Sequence, residues 1–404
     1  MTKVKTPKTK ARRAKPAVTK RSPATRPGTS GDASAGPRLY RRAKQLIPGG
    51  TQLLSKRPEM FLPDQWPSYY ASAKGVDVVD VGGRRYTDMS IIGVGASILG
   101  YADPDVDAAA HEAIDRGVNC TLNAPEEVEL AELLCELHPW ADMVRYARAG
   151  GEAMAVAVRI ARASSGKDKI AFSGYHGWQD WYLAANLSDN TALDGQLMPG
   201  LPPAGVARGL HGTTLPFHYN RLDQLSALVD ANRDTLGVIV MEPRRDEPPE
   251  PGFLEAVRQI ATDIGAVLIF DEITTGFRMT AGGIHRLLGI QPDIAVFSKA
   301  MANGYAMSAV IGRAAVMEAA QGSFISSTNW TERIGPVAAL ATIRKYIDRK
   351  VEKHLISIGT KVTKGWEAAA AIGNGTGRSL GQSASASSAA PGTPRSAPPG
   401  RSHA

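Results

Sequence analysis

The sequence predicts an α/β fold, a mostly parallel sheet with helices on both faces, together with a smaller domain. Three observations predict it. Six short apolar runs, MVRYAR (143 to 148), KIAFSG (169 to 174), LGVIVMEP (236 to 243), AVLIFDE (266 to 272), DIAVFSK (293 to 299) and MSAVIGR (307 to 313), read as strands buried on both faces. Amphipathic stretches such as Glu152 to Ala163 and Phe253 to Ile264 lie between them, the alternation that parallel pairing requires. A chain of 404 residues with 43% hydrophobic residues can bury a large domain and a smaller one.

Taken in order, residues 1 to 38 are rich in Lys, Arg, Pro, Thr and Ala and are expected to form a disordered basic arm, with order beginning near Leu39. A short helical pattern from Tyr40 to Ile47 ends at the turn Pro48-Gly49-Gly50. Val76 to Val81 and Tyr86 to Met89 flank Gly82-Gly83 and predict a hairpin with a two-residue connection, within a small N-terminal segment, 39 to 104. The large domain is expected over 105 to 332. A continuous helical pattern from Arg333 through Trp366 and Ala371 opens a C-terminal subdomain, 333 to 372. Residues 373 to 404 then turn to Ser, Ala, Pro and Gly, a composition that supplies no packed layer, so that the fold is expected to stop mid-domain.

The formal net charge of +8 belongs to the ends of the chain. Residues 1 to 38 hold eleven Lys or Arg against Asp32 alone, whereas residues 39 to 372 hold 33 basic and 38 acidic groups. A basic tail beside an acidic body argues against nucleic acid as the main partner. Cys120 and Cys135 are too few for a disulfide framework and lack metal-site spacing, which suits a reducing cytoplasm. No stretch reaches the ~18 apolar residues of a membrane span.

Two side chains carry the chemistry. Asp271, in FDEITTGFR, precedes Lys299, in FSKAMANGY, by 28 residues, and both sit where a buried apolar run ends. Open α/β sheets bind ligands beyond the carboxyl ends of their strands. A lysine there, its proton affinity lowered by burial, suits a Schiff base with a cofactor aldehyde, and a carboxylate suits a protonated pyridine nitrogen; together they point to pyridoxal 5′-phosphate (PLP). Taken singly, Asp271 is also consistent with a turn cap and Lys299 with a snorkelling surface residue. Glu242 is either a second acid near the ring or a strand-end carboxylate held by backbone amides. Gly150 and Gly151 open a helix and either admit a phosphate to its first amides or make an ordinary strand-to-helix turn. Gly174-Tyr175-His176-Gly177 is expected to expose a ring and an imidazole over a flat cofactor, with Trp178 and Trp181 lining the pocket or packing in the core. Before the last helical pattern, the run Ser327 to Arg333 either caps it, through Thr331, or offers the Thr328 hydroxyl to a phosphate. Walker, HExxH, GxSxG and CxxC motifs are absent from the sequence.

The pieces IPGGT, AGGEAM, FSGYHGWQD, VIVMEP, FDEITTGFR, FSKAMANGY, SAVIGR and STNWTERIGP, from about Tyr40 to Trp366, resemble the class III PLP-dependent aminotransferases, closest in style to glutamate-1-semialdehyde 2,1-aminomutase. The resemblance implies a fold type I homodimer with sites at the subunit interface, acting on small amines and carbonyl compounds. It implies that Lys299 is the Schiff-base lysine, Asp271 the pyridinium partner and Glu242 the supporting acid. Tyr175 is then the stacking aromatic, Gly150 and Gly151 the phosphate turn and Thr328 the phosphate threonine given by the other subunit; His176 and Ile273 complete the cofactor-binding set. Gly151 replaces a common threonine or serine, STNWTERIGP replaces GTxxGNP, and Asn303-Gly304-Tyr305 replaces a glycine-rich segment, departures that suggest a different substrate, such as a keto-sugar or small keto acid. The activity implied is transamination, with an aminomutase or an inactive PLP-binding homologue as alternatives.

Overall fold

The computed structural model describes residues 32–196 and 199–372. Residues 1–31 of the arm expected at 1–38, and the whole tail expected at 373–404, lie outside the described residues. Order begins earlier than expected: the first helix is Ala35–Leu46, because Asp32 accepts from the Ser34 amide at 2.9 Å and from Arg38 at 2.6 Å, fixing the turn before it. The described residues divide into two compact units, those up to Ala71 with Val79–Arg85, and Ser72–Val78 with those from Tyr86 onward. The boundaries expected at 104 and 332 therefore fall inside the second unit.

Strands β1 (Tyr70–Lys74), β2 (Asp77–Asp80) and β3 (Arg85–Thr87) form a three-stranded sheet in that order. The β2–β3 connection has four residues, not two. Asp80 sets it, its backbone oxygen accepting from Gly83 at 3.0 Å and its carboxylate from the Arg84 amide at 2.9 Å.

The main sheet contains β4 (Met143–Ala147), β5 (Lys169–Ser173), β6 (Thr214–Pro216), β7 (Leu236–Met241), β8 (Val267–Asp271), β9 (Ile294–Phe297) and β10 (Ser308–Gly312), in the order β4-β10-β9-β8-β7-β5-β6. All adjacent pairs are parallel except those of β10, which is antiparallel to β4 and β9. Side chains alternate between the two faces of each strand. Val238, Val240, Val267, Ile269, Ile294, Val296 and Val310 face the helix Gly150–Ser165. On the other face, Ile239, Met241, Leu268 and Phe270 pack with the helices Leu222–Asn232 and Phe253–Asp263. Phe297, Ala309 and Ile311 pack there with Glu126–Leu137 and Ile334–Arg349. Each fully buried Val, Ile, Leu or Phe contributes ~1.5–3 kcal/mol, so the sheet is a rigid platform for whatever its ends carry.

The long C-terminal helical pattern is two helices, Ile334–Arg349 and Val351–Ile372, separated by Lys350 in the left-handed region at φ 52°. Apolar periodicity continues across such a break, which is why the sequence does not reveal it. The N-cap position of the first of these helices is Arg333, and the side chain that caps its amides is that of Glu332, just before it, rather than of Thr331. Its carboxylate accepts from the Ile334 and Gly335 amides, both at 2.8 Å, while the Thr331 hydroxyl donates to the Thr328 carbonyl. Among the described residues no helix is long and apolar enough to cross a membrane.

Candidate active site

The carboxyl ends of β5, β7, β8 and β9 open at one edge of the sheet, and the loops leaving them supply most of the expected side chains. Asp271 is the last residue of β8, two positions beyond Ile269 and therefore on the face covered by the helix Gly150–Ser165. It is 4% exposed; Oδ1 accepts from the Ile273 amide at 3.0 Å and Oδ2 lies 2.8 Å from His176 Nδ1. The other ring nitrogen of His176, Nε2, lies 3.1 Å from the Ser173 carbonyl. A carbonyl only accepts, so Nε2 carries a proton and a further proton must lie between Nδ1 and Asp271. The pair is thus an imidazolium beside a carboxylate or an imidazole beside a carboxylic acid, neutral overall in either form.

His176 is not presented to a ligand, contrary to expectation. It is 1% exposed and turned inward under Asp271 because Gly174 (φ 114°) and Gly177 (φ 106°) reverse the chain on either side of it. Tyr175 is the exposed ring of this turn, at 40%. Gly174 has a second reason to be glycine, since a Cβ there would sit 2.6 Å from Glu242 Oε2.

Glu242 follows β7 on the same face as Asp271. Burial pushes its carboxyl up to about 7 against the pull of Arg245, whose Nε lies 3.1 Å away, and the nearby Asp271 charge adds to the rise. Arg245 is braced in turn by the carbonyl of Gln196, the side chain of which accepts from the Gly174 amide at 2.8 Å. None of Arg245, Gln196 or Gln179 stands out in the sequence, because each works through a loop whose path only the fold sets.

Lys299 follows β9, with its backbone in the left-handed region at φ 47°. Its Nζ donates to Thr274 Oγ1 at 2.9 Å. Burial and then the Arg278 guanidinium lower its proton affinity, while Asp271 and Glu242 pull the other way; the balance favours the free amine relative to an ordinary lysine. Arg278 is itself buried, and burial brings it down to about 10. Thr274 and Arg278 both lie within the FDEITTGFR run, so the motif contained them although its reading singled out only Asp271 and Ile273.

Gly150 and Gly151 open the helix Gly150–Ser165, and the Glu152 carboxylate reaches back to the Ala149 and Arg148 amides at 3.1 and 3.2 Å. A Cβ at Gly150 would meet Ile273 Cδ1 at 2.9 Å and one at Gly151 would meet the Gln179 amide at 2.7 Å. The first two positions of the helix thus carry no side chains of their own and are packed closely by Ile273 and Gln179. Thr328 is not brought to this cluster: it is exposed in the turn Thr328–Thr331, which Arg148 holds through the carbonyls of Trp330 and Glu332.

Together, a buried acid with a shared proton, a lysine biased toward the free amine, an exposed tyrosine ring and a bare helix N-terminus fit PLP by ring nitrogen, aldehyde, ring face and phosphate respectively. A family model described as aminotransferase class-III matches residues 63–377. The chain belongs to the class III aminotransferases. It is 38% identical to the 3-aminobutyryl-CoA aminotransferase of Cloacimonas acidaminovorans (strain Evry), over 76% of this chain and 71% of the relative. It is 33% identical to the glutamate-1-semialdehyde 2,1-aminomutase of Alkaliphilus oremlandii (strain OhILAs), over 81% of this chain and 78% of the relative. A transaminase structure with PLP bound superimposes with a TM-score of 0.75 at 26% identity, covering 85% of this chain and 80% of that one. Like other class III aminotransferases, the chain is a PLP-dependent enzyme of the aminotransferase and aminomutase kind.

Proposed function

We propose that the chain is an aminotransferase that moves an amino group from an amine donor to a keto acid, an aldehyde or a keto-sugar, with Lys299, Asp271 and Glu242 as its catalytic groups. The observation that carries the assignment of roles is the placement of the Lys299 amine among the same strand ends that hold the Asp271–His176 pair. When bound, PLP supplies an electron-withdrawing ring that makes a proton on the adjacent substrate carbon acidic. Lys299, as a free amine, takes that proton and returns it. Asp271 holds positive charge at the ring nitrogen, and the proton it shares with His176 keeps it from leaving a bare buried carboxylate. Glu242, raised to about 7, stores a proton near the working pH. Tyr175 covers the ring face, Ile273 packs at its edge against Gly150, and the amides from Gly150 onward hold the phosphate.

The proposed assembly is a homodimer in which Thr328 reaches the partner's phosphate. Thr328 is exposed and Phe324, four residues before it, is 90% exposed, a surface that a second copy would cover. The free thiols Cys120 and Cys135 favour a cytoplasmic setting.

The test is borohydride reduction of purified full-length protein with added PLP, followed by peptide mass analysis, in parallel with Lys299→Ala. The expected result is a reduced pyridoxyl group on Lys299 and none in the variant, with keto product from an amine donor limited to about one equivalent per bound PLP until an acceptor is supplied. A soluble, folded chain that leaves Lys299 unlabelled overturns the assignment. Conversion of a single amino-aldehyde without exchange of the amino group with an added donor or acceptor replaces transamination with the aminomutase reaction.

A further inference from the structure

We propose that Thr274 is a positioning residue for Lys299: its hydroxyl docks the amine at one point of the site and leaves the nitrogen lone pair free. The inference rests on the reading of Lys299 as the amine that engages the cofactor. Its first support is the rigidity of the dock. Thr274 follows β8 in a loop that is tied at every step: Ile273 N donates to Asp271, the Thr275 hydroxyl to Glu272, and Gly276 N to the Glu272 carbonyl at 2.7 Å. Arg278 Nε donates to the carbonyl of Thr274 itself at 2.5 Å, and the same guanidinium bonds Gly95 O. A Cβ on Gly276 would lie 2.6 Å from the Phe297 ring, so the loop packs closely against the end of β9.

The second support is at Lys299. Its left-handed backbone (φ 47°) is a conformation that side chains other than glycine, asparagine and aspartate adopt rarely. That backbone ends in a side chain whose amine reaches Thr274 Oγ1 at 2.9 Å, so the unusual conformation is matched by a defined aim. Ser298, just before it, is fixed by its own hydroxyl to the Met307 carbonyl at 3.0 Å.

The third support is the chemistry of the partner. Among the described residues the Lys299 amine forms no ion pair; its hydrogen-bond partner is a neutral hydroxyl. A carboxylate in that place would retain the ammonium form, which is no nucleophile, whereas a hydroxyl fixes the nitrogen with a smaller bias toward the proton. The charged groups acting on the amine are Arg278 from the loop, Asp271 from the end of β8 and Glu242 from the end of β7. Thr274 therefore gives the amine a place to stand, between turns of its work, within reach of the substrate carbon and cofactor.

The test uses three variants, Thr274→Val, Thr274→Ser and Thr274→Ala, in the full chain. Valine keeps the shape and removes the hydroxyl; serine keeps the hydroxyl and removes the methyl. In protein freed of PLP, trace acetylation with acetic anhydride across a pH series, read by mass spectrometry at the Lys299 peptide, reports the amine's titration midpoint. Losing an acceptor for a charged donor lowers that midpoint by about one pH unit. The expected result is this fall in Thr274→Val, with Thr274→Ser matching the native chain. In the PLP-loaded enzyme kcat falls roughly tenfold in the valine variant with KM little changed, the mark of a lost alignment. A native-like midpoint and kcat in Thr274→Val, or a serine variant as impaired as valine, overturns the proposal and makes Thr274 a packing residue. Should valine prevent folding, the serine and alanine variants make the same hydroxyl comparison. The acetylation readout does not depend on PLP, so its outcome is separable from borohydride trapping at Lys299.

Discussion

Two neighbouring residues, Asp271 and Glu272, each lie 2.8 Å from a buried histidine, yet the two pairs are built for opposite purposes. Successive residues leave the end of β8 on opposite faces. Glu272 turns to the face opposite that of Asp271. Its carboxylate accepts from His285 Nδ1, from the His285 and Ile284 amides at 2.9 and 3.1 Å, and from the Thr275 hydroxyl. His285 Nε2 in turn accepts from Trp140 Nε1 at 3.0 Å, so the ring is neutral with its proton on Nδ1. The neighbouring His138 is closed in the same way, donating to the Leu134 carbonyl and accepting from Gly283 N, and burial brings it down to about 4. Although burial opposes it, these donors hold the Glu272 carboxyl below the usual range. This network has its donors and acceptors matched. Asp271, by contrast, accepts from one amide, and both nitrogens of its histidine face oxygen. That pair must hold an extra proton, and it retains acceptor capacity for a ligand. Saturated hydrogen bonding distinguishes a structural carboxylate from a working one better than burial, which is nearly complete for both.

The comparison is broken most severely at the lysine beside the open pair. Lys299→Ala removes the amine and lowers kcat/KM by roughly 10⁴-fold or more, measured in single-turnover amino transfer. Next come the acids themselves. Asp271→Asn lowers kcat/KM by ~10²–10³-fold with a thermal midpoint close to the native one, since an amide still pairs with a neutral imidazole. Glu272→Gln does the reverse: it puts an N–H among donors and costs ~3–5 kcal/mol of stability in denaturant titration, with activity per folded molecule retained.

Glu242 sharpens the comparison through pH. Its carboxyl stands at 4.5 in an ordinary setting and about 7 in the folded chain, so between these values the folded state holds a proton that the unfolded state has released. Stability therefore falls as pH rises through that window. Measured without PLP, Glu242→Gln lacks this loss, and its stability relative to the native chain rises by roughly 3 kcal/mol from pH 4.5 to above 7. The smallest effect is expected at Gly150→Ala. The added methyl crowds Ile273 at the helix start and weakens PLP retention by about 1–3 kcal/mol in equilibrium dialysis, leaving the closed pair untouched.

The sequence made the sheet legible because six of its seven strands are short apolar runs, and those of β7 to β9 are apolar on both faces. It concealed β6, since Thr214-Leu215-Pro216 is too short and contains a proline that demotes a strand. The positions of Asp271, Glu242 and Lys299 at strand ends were readable for the same reason as the strands. The inward turn of His176 was not, because a run of Gly-Tyr-His-Gly does not specify which side chain the two glycines will swing under the sheet edge. The closed network was invisible too: Trp140 lies 145 residues from His285, and the 13-residue separation of Glu272 from His285 is no helical or strand spacing that joins them. Thr274 lay in full view within a quoted motif, but its role depends on the backbone aim of Lys299, 25 residues later.

The distinction between the two pairs is tested most directly by nitrogen-15 NMR of the full chain with labelled histidine, without PLP, assigning rings through His176→Asn and His285→Asn. Nε2 of His176 should carry a proton, with a second, strongly hydrogen-bonded proton between Nδ1 and Asp271, while Nε2 of His285 should be bare. A bare Nε2 on His176, making the two rings alike, would contradict the account.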